Sequence, residues 1–281
     1  MGKSLPKKLR AKWDALIETE GKKLGLENCR PFLEGKIVND IFYEGTFKGG
    51  ACIVKCSSKA PESIENEFRI LERLHKIKPQ LFPKPFCCSK TPDKKMAFIA
   101  MEKVIDMKII DADAALKDVL DIAQTLHDQN IVHRDIYKDN FFFASNGHLR
   151  LFDFQFAIDR TKPIIPRWLL RHWKYHYVIF ARIADQPAAT WNDITALRRF
   201  IRNTFSTAAC YAATDARLAE MEHEGDYRAD IPIRILPLVV LYSVSLFFQR
   251  LLCKNDKRNA VLIKRLHITR ELALAICNLK P

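Results

Sequence analysis

The sequence lacks the features that would predict export, membrane spanning or a cysteine metal site. Its eight cysteines show no metal-ligand spacing, since Cys87 and Cys88 are adjacent and the others are scattered. The basic N-terminus is not followed by an apolar run of signal-peptide length. The uncharged stretch 235–249 has fifteen residues, fewer than the ~20 that span a bilayer. We therefore expect a cytoplasmic protein with reduced, mostly structural thiols and a buried helix at 235–249.

Acidic residues are also few relative to basic ones, 33 against 46, which leaves a formal net charge of +13. Such an excess favours an anionic partner, for example a phosphorylated lipid or a membrane surface, although generic solubility is an alternative explanation. Because no RNA-binding aromatic signature or helix-turn-helix pattern is present, we do not expect nucleic acid. At 281 residues and 48% hydrophobic composition, the chain can bury the core of one bilobal unit or two modest domains.

One stretch, residues 131–155, concentrates polar residues at a definite spacing. It contains His-Arg-Asp ending at Asp135, then Asn140, then Asp153. Between them, an apolar run of three phenylalanines, the turn-forming residues 145–147 and a second apolar run predict a short hairpin. The hairpin would hold the three polar groups at one rim.

This spacing resembles the H-R-D-x-x-x-x-N loop and D-F-G turn of protein-kinase-like phosphotransferases, with Gln155 where the glycine would stand. The resemblance implies that Asp135 accepts or orients the proton of an attacking hydroxyl. It also implies that Asn140 and Asp153 hold Mg²⁺ against the phosphates of ATP. Three polar groups at this joint spacing are rarely just a solvated hairpin.

Upstream segments follow the order of the same fold. A predicted strand at 51–55 is similar to the V-A-I-K strand, which implies that Lys55 binds the α and β phosphates. The apolar periodicity of 61–75 predicts a helix, and Glu67 on this helix would pair with Lys55. The alternatives on that helix are Glu65 and Glu62.

A strand at 96–101 precedes the predicted link between lobes, where Glu102 and Val104 would hold adenine through their main chains. An amphipathic helix at 114–129 then leads to the catalytic loop. Strand composition also covers 36–46.

The glycine-rich loop expected before the lysine strand is incomplete. The available glycines are Gly45, Gly49 and Gly50. Either Asn39-Asp40 or Glu44-Gly45 is a candidate turn, and the loop boundaries stay open.

The resemblance implies an α+β, bilobal protein-kinase-like fold with a small β-rich N-lobe and a larger, mainly helical C-lobe. We expect a basic helical extension at 1–30, the N-lobe at 31–103 and the C-lobe at 104–281. In the extension, apolar residues at helical spacing are expected to pack on the domain rather than lie on lipid. They are Leu9, Trp13, Leu16 and Ile17.

The H-R-D-x-Y pattern that ends at Tyr137 is similar to bacterial lipopolysaccharide core kinases, including Kdo and heptose kinases. Lys138 would then replace the lysine that contacts phosphate in protein kinases. Arg167-Trp168 and Phe200-Ile201-Arg202 resemble further segments of those kinases. Asn140 departs from the family pattern, because some members carry histidine there.

This likeness implies an anionic glycolipid acceptor, phosphorylated on a core-sugar hydroxyl at the inner face of the cell membrane. Basic side chains after the metal aspartate suit phosphate and carboxylate groups, although a solvated helix face explains individual members equally well. They are Arg160, Lys162, Arg167, Arg171, His172, Lys174 and His176. Peripheral membrane contact through 235–249 and its basic flank is an open alternative to burial.

Two other functions remain open. No A-P-E signature follows Asp153, and 156–167 is short for a peptide-binding activation loop, so a Ser/Thr protein kinase would have a trimmed activation segment. Gln155 and the weak glycine loop favour a nucleotide-binding pseudokinase. Retention of both metal ligands and the base argues against the pseudokinase.

Overall fold

The computed structural model describes residues 7–32, 41–57, 61–93, 95–105, 111–161, 182–183, 186–187, 190–225 and 228–230. The chain divides into two compact units. The first comprises Met1–Pro163 and Asp193–Tyr227, and the second comprises Ile164–Asn192 and Arg228–Pro281. The boundaries expected at residues 30 and 103 stay predictions.

An antiparallel sheet of five strands, in the spatial order β1-β2-β3-β5-β4, lies in the first unit. The strands are β1 (Leu26–Phe32), β2 (Ile41–Phe47), β3 (Gly50–Ser57), β4 (Pro85–Lys90) and β5 (Ala97–Glu102). Lys55 lies on the central strand β3, where it pairs with Phe42 of β2 and Ile99 of β5. The predicted lysine strand and the strand before the link are confirmed. Of the strand predicted at 36–46, residues 41–46 are confirmed and 36–40 lie outside the described residues.

The connection between β2 and β3 is a turn of two residues, Lys48 and Gly49, with φ of 49° and 83°. Two successive positive φ angles are typical of the type I′ hairpin turn. Gly45 lies within β2, so the alternative of a turn at Glu44-Gly45 is wrong. The physical reason is pairing: Gly45 is opposite Cys52 of β3 and β1 approaches it closely. Asn39-Asp40 lies outside the described residues.

Two helices cover the sheet. In α1 (Lys7–Leu16) and the π-helical turn that follows it, Trp13, Leu16 and Ile17 are buried in a core cluster that also includes Tyr43 and Val54. This confirms the predicted packing of these three side chains on the domain, while the side chain of Leu9 lies outside the described set. The second helix, α2 (Pro61–Ile77), contacts β4 and β5. It confirms the predicted helix, and its apolar stripe is buried.

Three further helices of the first unit pack on one another. They are α3 (Ala112–Asp128), α4 (Asp193–Phe205) and α5 (Tyr211–Glu224). The helix predicted at 114–129 is confirmed as α3, which begins two residues earlier than predicted, at Ala112. The helix begins at Ala112 because the carboxylate of Asp111 accepts hydrogen bonds from the backbone N–H groups of Asp113 and Ala114. These bonds satisfy donors that the start of a helix leaves unpaired.

Short strands frame the segment 131–159. They are β6 (Ile131–Val132), β7 (Phe141–Phe143), β8 (Leu149–Leu151) and β9 (Ile158–Asp159). β7 and β8 form the predicted hairpin, and β6 pairs with β9. The Phe141 ring stacks on Phe200 of α4 at a centroid distance of 4.1 Å, which anchors the hairpin to the helices.

In the second unit, the structure describes two strand pairs. They are β10 (Arg182–Ile183) with β11 (Gln186–Pro187), and β12 (Thr190–Asn192) with β13 (Arg228–Asp230). Beyond Arg160, the predicted basic cluster lies outside the described residues, as do Arg167-Trp168 and the stretch 235–249. No helix in the described part of the chain is long and apolar enough to cross a membrane. The predicted α+β class is confirmed.

Candidate active site

The candidate site is centred on the ammonium group of Lys55. Its Nζ lies 2.9 Å from Oε2 of Glu67 and 2.8 Å from Oδ1 of Asp153. The Lys55 and Glu67 side chains are 4% and 1% exposed, whereas that of Asp153 is 25% exposed. The structure thus brings together a strand residue, a helix residue and a loop residue that the sequence singled out. Of the three glutamates considered on α2, Glu67 is the partner of Lys55.

The backbone around Asp153 is held in an uncommon conformation. Asp153 has φ 63° and ψ 64°, the left-handed region that few non-glycine residues adopt. The next residue, Phe154, donates its backbone N–H to Oε1 of Glu67 at 3.2 Å. Glu67 therefore fixes both Lys55 and the turn that carries Asp153. Gln155, which replaces the expected glycine, donates from Nε2 to Oδ2 of Asp153 at 3.3 Å.

The loop that carries Asp135 is organised around the fully buried imidazole of His133. The backbone N–H of Asp135 donates to Nδ1 of His133 at 3.2 Å, and Nε2 lies 2.9 Å from the carbonyl oxygen of Phe152. Since Nδ1 accepts, the ring proton is on Nε2 and is donated to that carbonyl. The ring also meets Phe154 edge to face at 4.6 Å. His133 thereby ties the loop that carries Asp135 to the chain on both sides of Asp153.

Asp193, which the sequence did not single out, holds the backbone of the same loop. Asp193, the first residue of α4, accepts hydrogen bonds from the backbone N–H groups of His133 at 2.6 Å and Arg134 at 3.0 Å. Arg134 has φ 67°, so its strained backbone is held by these bonds. The sequence signal for Asp193 is an acid at a helix start, which many surface helices share.

The Asn140 side chain is held against the backbone of Asp135 by one hydrogen bond. Its Nδ2 donates to the carbonyl oxygen of Asp135 at 2.7 Å. In turn the backbone N–H of Phe152 donates to the carbonyl oxygen of Asn140 at 2.9 Å. Both Asn140 and Asp135 are buried, and they occupy opposite ends of the same tight loop.

Several charged groups act on the pKa of the Tyr137 phenol. Burial raises the pKa of Tyr137 to about 12, and the negative charges of Asp135, Asp153 and Asp139 add to this effect. The positive charge of Lys55 acts in the opposite direction. The Tyr137 side chain is itself 44% exposed.

The remaining predicted residues are Glu102, Val104 and Lys138. Oε2 of Glu102 forms an ion pair with Nη1 of Arg150 at 2.7 Å. The backbone N–H of Glu102 donates to the carbonyl oxygen of Lys84. Val104 follows in the irregular segment after β5, half-buried. Lys138 begins a short 3₁₀ turn that ends at Asn140, and its side chain is exposed. No contact joins these three residues to the Lys55 cluster among the described hydrogen bonds.

Asn140 and Asp153 would offer Mg²⁺ an amide oxygen and a carboxylate oxygen. Among the described residues, no group of three or more His, Cys, Asp or Glu side chains is arranged to hold a metal. Mg²⁺ is usually bound by one or two protein oxygens, substrate phosphates and its own waters. Because the amide nitrogen of Asn140 donates to the backbone, its oxygen is the end suited to a cation. Asp153 supplies the carboxylate.

No family model matches the chain, and a search of curated proteins finds no match to it.

Proposed function

We propose that the chain is an ATP- and magnesium-dependent kinase with the bilobal protein-kinase-like fold, its β-rich lobe built on the five-stranded sheet. The observation that carries the proposal is the position of the Lys55 ammonium between Glu67 and Asp153, although Asp153 follows Lys55 by 98 positions. A buried lysine pinned by two carboxylates stays ordered and close to a metal ligand, which is what phosphate binding requires.

Each residue has a separate task in the proposed reaction. The Lys55 ammonium binds the α and β phosphates, and Glu67 keeps it in place. Asp135 accepts the proton of the acceptor hydroxyl as its oxygen bonds to the γ phosphorus and ADP leaves. Asn140 and Asp153 would hold Mg²⁺, which neutralises charge on the phosphates when bound. Lys138, exposed beside Tyr137, is available to the transferred phosphoryl group, and the main chains of Glu102 and Val104 hold adenine.

The proposed acceptor is a hydroxyl of an anionic glycolipid, a lipopolysaccharide core sugar, reached at the inner face of the cell membrane. Support comes from the H-R-D-x-Y pattern and from the exposed aromatic ring of Tyr137 beside Asp135, since a planar ring suits a sugar face. The formal charge of +13 suits an anionic acceptor.

Replacing the base tests the reaction. Asp135→Asn keeps the size of the side chain and removes the proton acceptor, so we expect turnover to fall by roughly 10²-fold or more. The control is Asp139→Asn, which makes the same change on an exposed residue of the same loop and should retain turnover. Undiminished phosphoryl transfer by a folded Asp135→Asn protein would refute the assignment of the base.

The acceptor is tested separately with labelled ATP. Purified core glycolipid and a mixture of protein substrates are incubated with the wild-type chain and with Asp135→Asn. Label on the glycolipid supports the sugar kinase, whereas label on protein alone supports the Ser/Thr protein kinase.

A pseudokinase is the second candidate, favoured by two observations. Gln155 occupies one carboxylate oxygen of Asp153, and the β2–β3 connection has only two residues, Lys48 and Gly49, with little backbone to enclose phosphates. This function predicts that ATP raises the melting temperature only with magnesium present, and that no acceptor or water receives the phosphoryl group.

A further inference from the structure

Helix α2 is tied to the segment after Asp153 by polar contacts outside the Lys55 cluster. Nη1 of Arg69 lies 2.7 Å from Oδ2 of Asp159, and Nη2 of Arg69 donates to Oδ1 of Asn66 at 3.1 Å. Nδ2 of Asn66 donates to the carbonyl oxygen of Ala157 at 3.0 Å. Nη1 of Arg73 lies 3.6 Å from the same oxygen of Asp159. We name the contacts of Asn66, Arg69 and Asp159 the α2–β9 latch.

The latch lies within one helical turn of the residue that positions the lysine. Asn66 and Arg69 flank Glu67 on α2, and Glu67 accepts from Lys55 and from the backbone of Phe154. An α-helix advances 1.5 Å per residue, so a small slide or rotation that breaks the latch also displaces the Glu67 carboxylate. The apolar stripe of α2 is buried, and because burial is non-directional, directional polar contacts define the register further.

The other end of the latch is anchored to the catalytic loop. Asp159 lies on β9 opposite Ile131 of β6, the strand that runs directly into His133. The Asp159 side chain is 3% exposed, and its second oxygen accepts from the backbone N–H and hydroxyl of Thr161. Burial raises the pKa of Asp159, but hydrogen bonds from Thr161 and Arg69 and the charge of Arg73 outweigh it and lower the pKa overall. The carboxylate is therefore ionised at neutral pH.

We propose that the α2–β9 latch sets the register of α2 so that Glu67 holds Lys55 beside Asp153, which makes Arg69 and Asp159 positioning residues for phosphoryl transfer. This inference rests on the proposed kinase function. The latch couples the helix of the lysine partner to the strand that leads into the loop of the base. The carboxylate of Asp159 supplies this coupling through its contact with Arg69.

The first test compares two ion pairs of the same unit. Asp159→Asn keeps an oxygen for Thr161 but presents an amide to Arg69. The control, Asp215→Asn, breaks the pair between Arg198 of α4 and Asp215 of α5, at 2.8 and 2.9 Å. We expect Asp159→Asn to lower kcat by about tenfold or more and to raise KM for ATP, because misplaced reacting groups lose rate steeply. Asp215→Asn should change neither, and wild-type kcat in Asp159→Asn would overturn the proposal.

The second test varies Arg69, whose side chain is 39% exposed. Arg69→Lys keeps the charge and should retain most of the turnover, while Arg69→Met should match Asp159→Asn. Because the pair acts as one unit, the double variant should lose no more than either single variant. Independent, multiplying losses would contradict the latch.

A readout without turnover separates the latch from the proposed function. Hydrogen exchange should accelerate across Pro61–Ile77 in Asp159→Asn and stay unchanged there in Asp215→Asn. If wild-type protein transfers no phosphoryl group, the kinase proposal fails while this exchange pattern still decides the latch. Unchanged exchange in α2 of Asp159→Asn would overturn it.

Discussion

At the scale of single residues, the cluster around Lys55 is expensive to bury. Moving an ammonium or a carboxylate out of water costs several kcal/mol per ion, and their attraction offsets this only with good geometry. An apolar replacement of such a pair is often neutral or stabilising. The burial of Lys55 and Glu67 beside Asp153 is therefore not explained by a gain in stability alone.

Removing one member of the pair should leave an uncompensated charge. We expect Lys55→Met to abolish phosphoryl transfer and to lower the free energy of unfolding by about 3 kcal/mol, because Glu67 stays buried without its cation. Adding Glu67→Gln to Lys55→Met should restore part of that stability without restoring turnover. Denaturant unfolding and a transfer assay measure the two effects.

The matched control is Lys90→Met. Lys90 pairs with Glu65 at 3.0 Å, but the Glu65 side chain is 52% exposed, so the loss should stay below about 1 kcal/mol. Equal losses of stability in Lys55→Met and Lys90→Met would contradict the buried-pair argument.

Tyr137 supplies a pH-dependent prediction. Its pKa is raised from 10.0 to about 12 by burial and by neighbouring carboxylates, so the folded protein keeps the phenol proton longer than the unfolded chain does. The stability gained from this difference is present below pH 10 and is lost as pH rises toward about 12. Relative to Tyr137→Phe, wild-type protein should therefore lose unfolding free energy across this window. A difference that stays flat from pH 10 to 12 would show that the phenol is not shielded.

At the scale of elements, the β2–β3 hairpin shows how a neighbouring strand, β1, restricts the residue at position 45. A Cβ at position 45 would lie 2.7 Å from Sγ of Cys29 and 2.8 Å from the carbonyl oxygen of Glu27. β1 has an irregular register between Glu27 and Arg30, and Asn28 there has φ 53°. Gly45 is thus required by the close approach of β1 to β2, and a phosphate-binding role is not needed to explain it.

Substituting two glycines of this hairpin separates packing from phosphate binding. Gly45→Ala should destabilise the protein by about 1–3 kcal/mol, since overpacking a tight contact has this cost. Gly50→Ala should change stability little, because its Cβ would meet nothing closer than 3.6 Å. A Gly45→Ala protein of normal stability but raised KM for ATP would instead place Gly45 in the phosphate loop.

At the scale of the whole molecule, charge is the dominant property. A formal net charge of +13 raises the local concentration of anions and accelerates their association, and it does not specify a fold. Within the first unit, many described acids are paired with basic groups, for example Asp159 with Arg69 and Asp215 with Arg198. The net positive charge that remains can attract anionic partners at long range.

Salt should separate binding of the acceptor from binding of ATP. The Debye length falls from about 10 Å at about 0.1 M salt to about 3 Å at about 1 M. We expect KM for an anionic glycolipid to rise over this range more than KM for ATP, because the proposed function places the ATP phosphates against buried Lys55. Initial rates at varied acceptor and ATP concentrations measure both, and equal salt dependence would contradict recognition of the acceptor by net charge.

The sequence by itself determined several local elements of this protein. Apolar periodicity predicted α2 and α3 to within a few residues, and two apolar runs separated by the turn-forming residues 145–147 predicted the β7–β8 hairpin. These predictions succeeded because periodicity and turn chemistry act over a few neighbouring residues.

Only the tertiary structure decided which long-range partners meet. Glu67, and not Glu65 or Glu62, pairs with Lys55. Asp193 binds the backbone of His133 and Arg134, and Asp159 pairs with Arg69. In sequence each of these acids resembles many solvated ones. Their partners lie tens of positions away, and the ionic contacts form only once apolar burial has placed helix, strand and loop side by side.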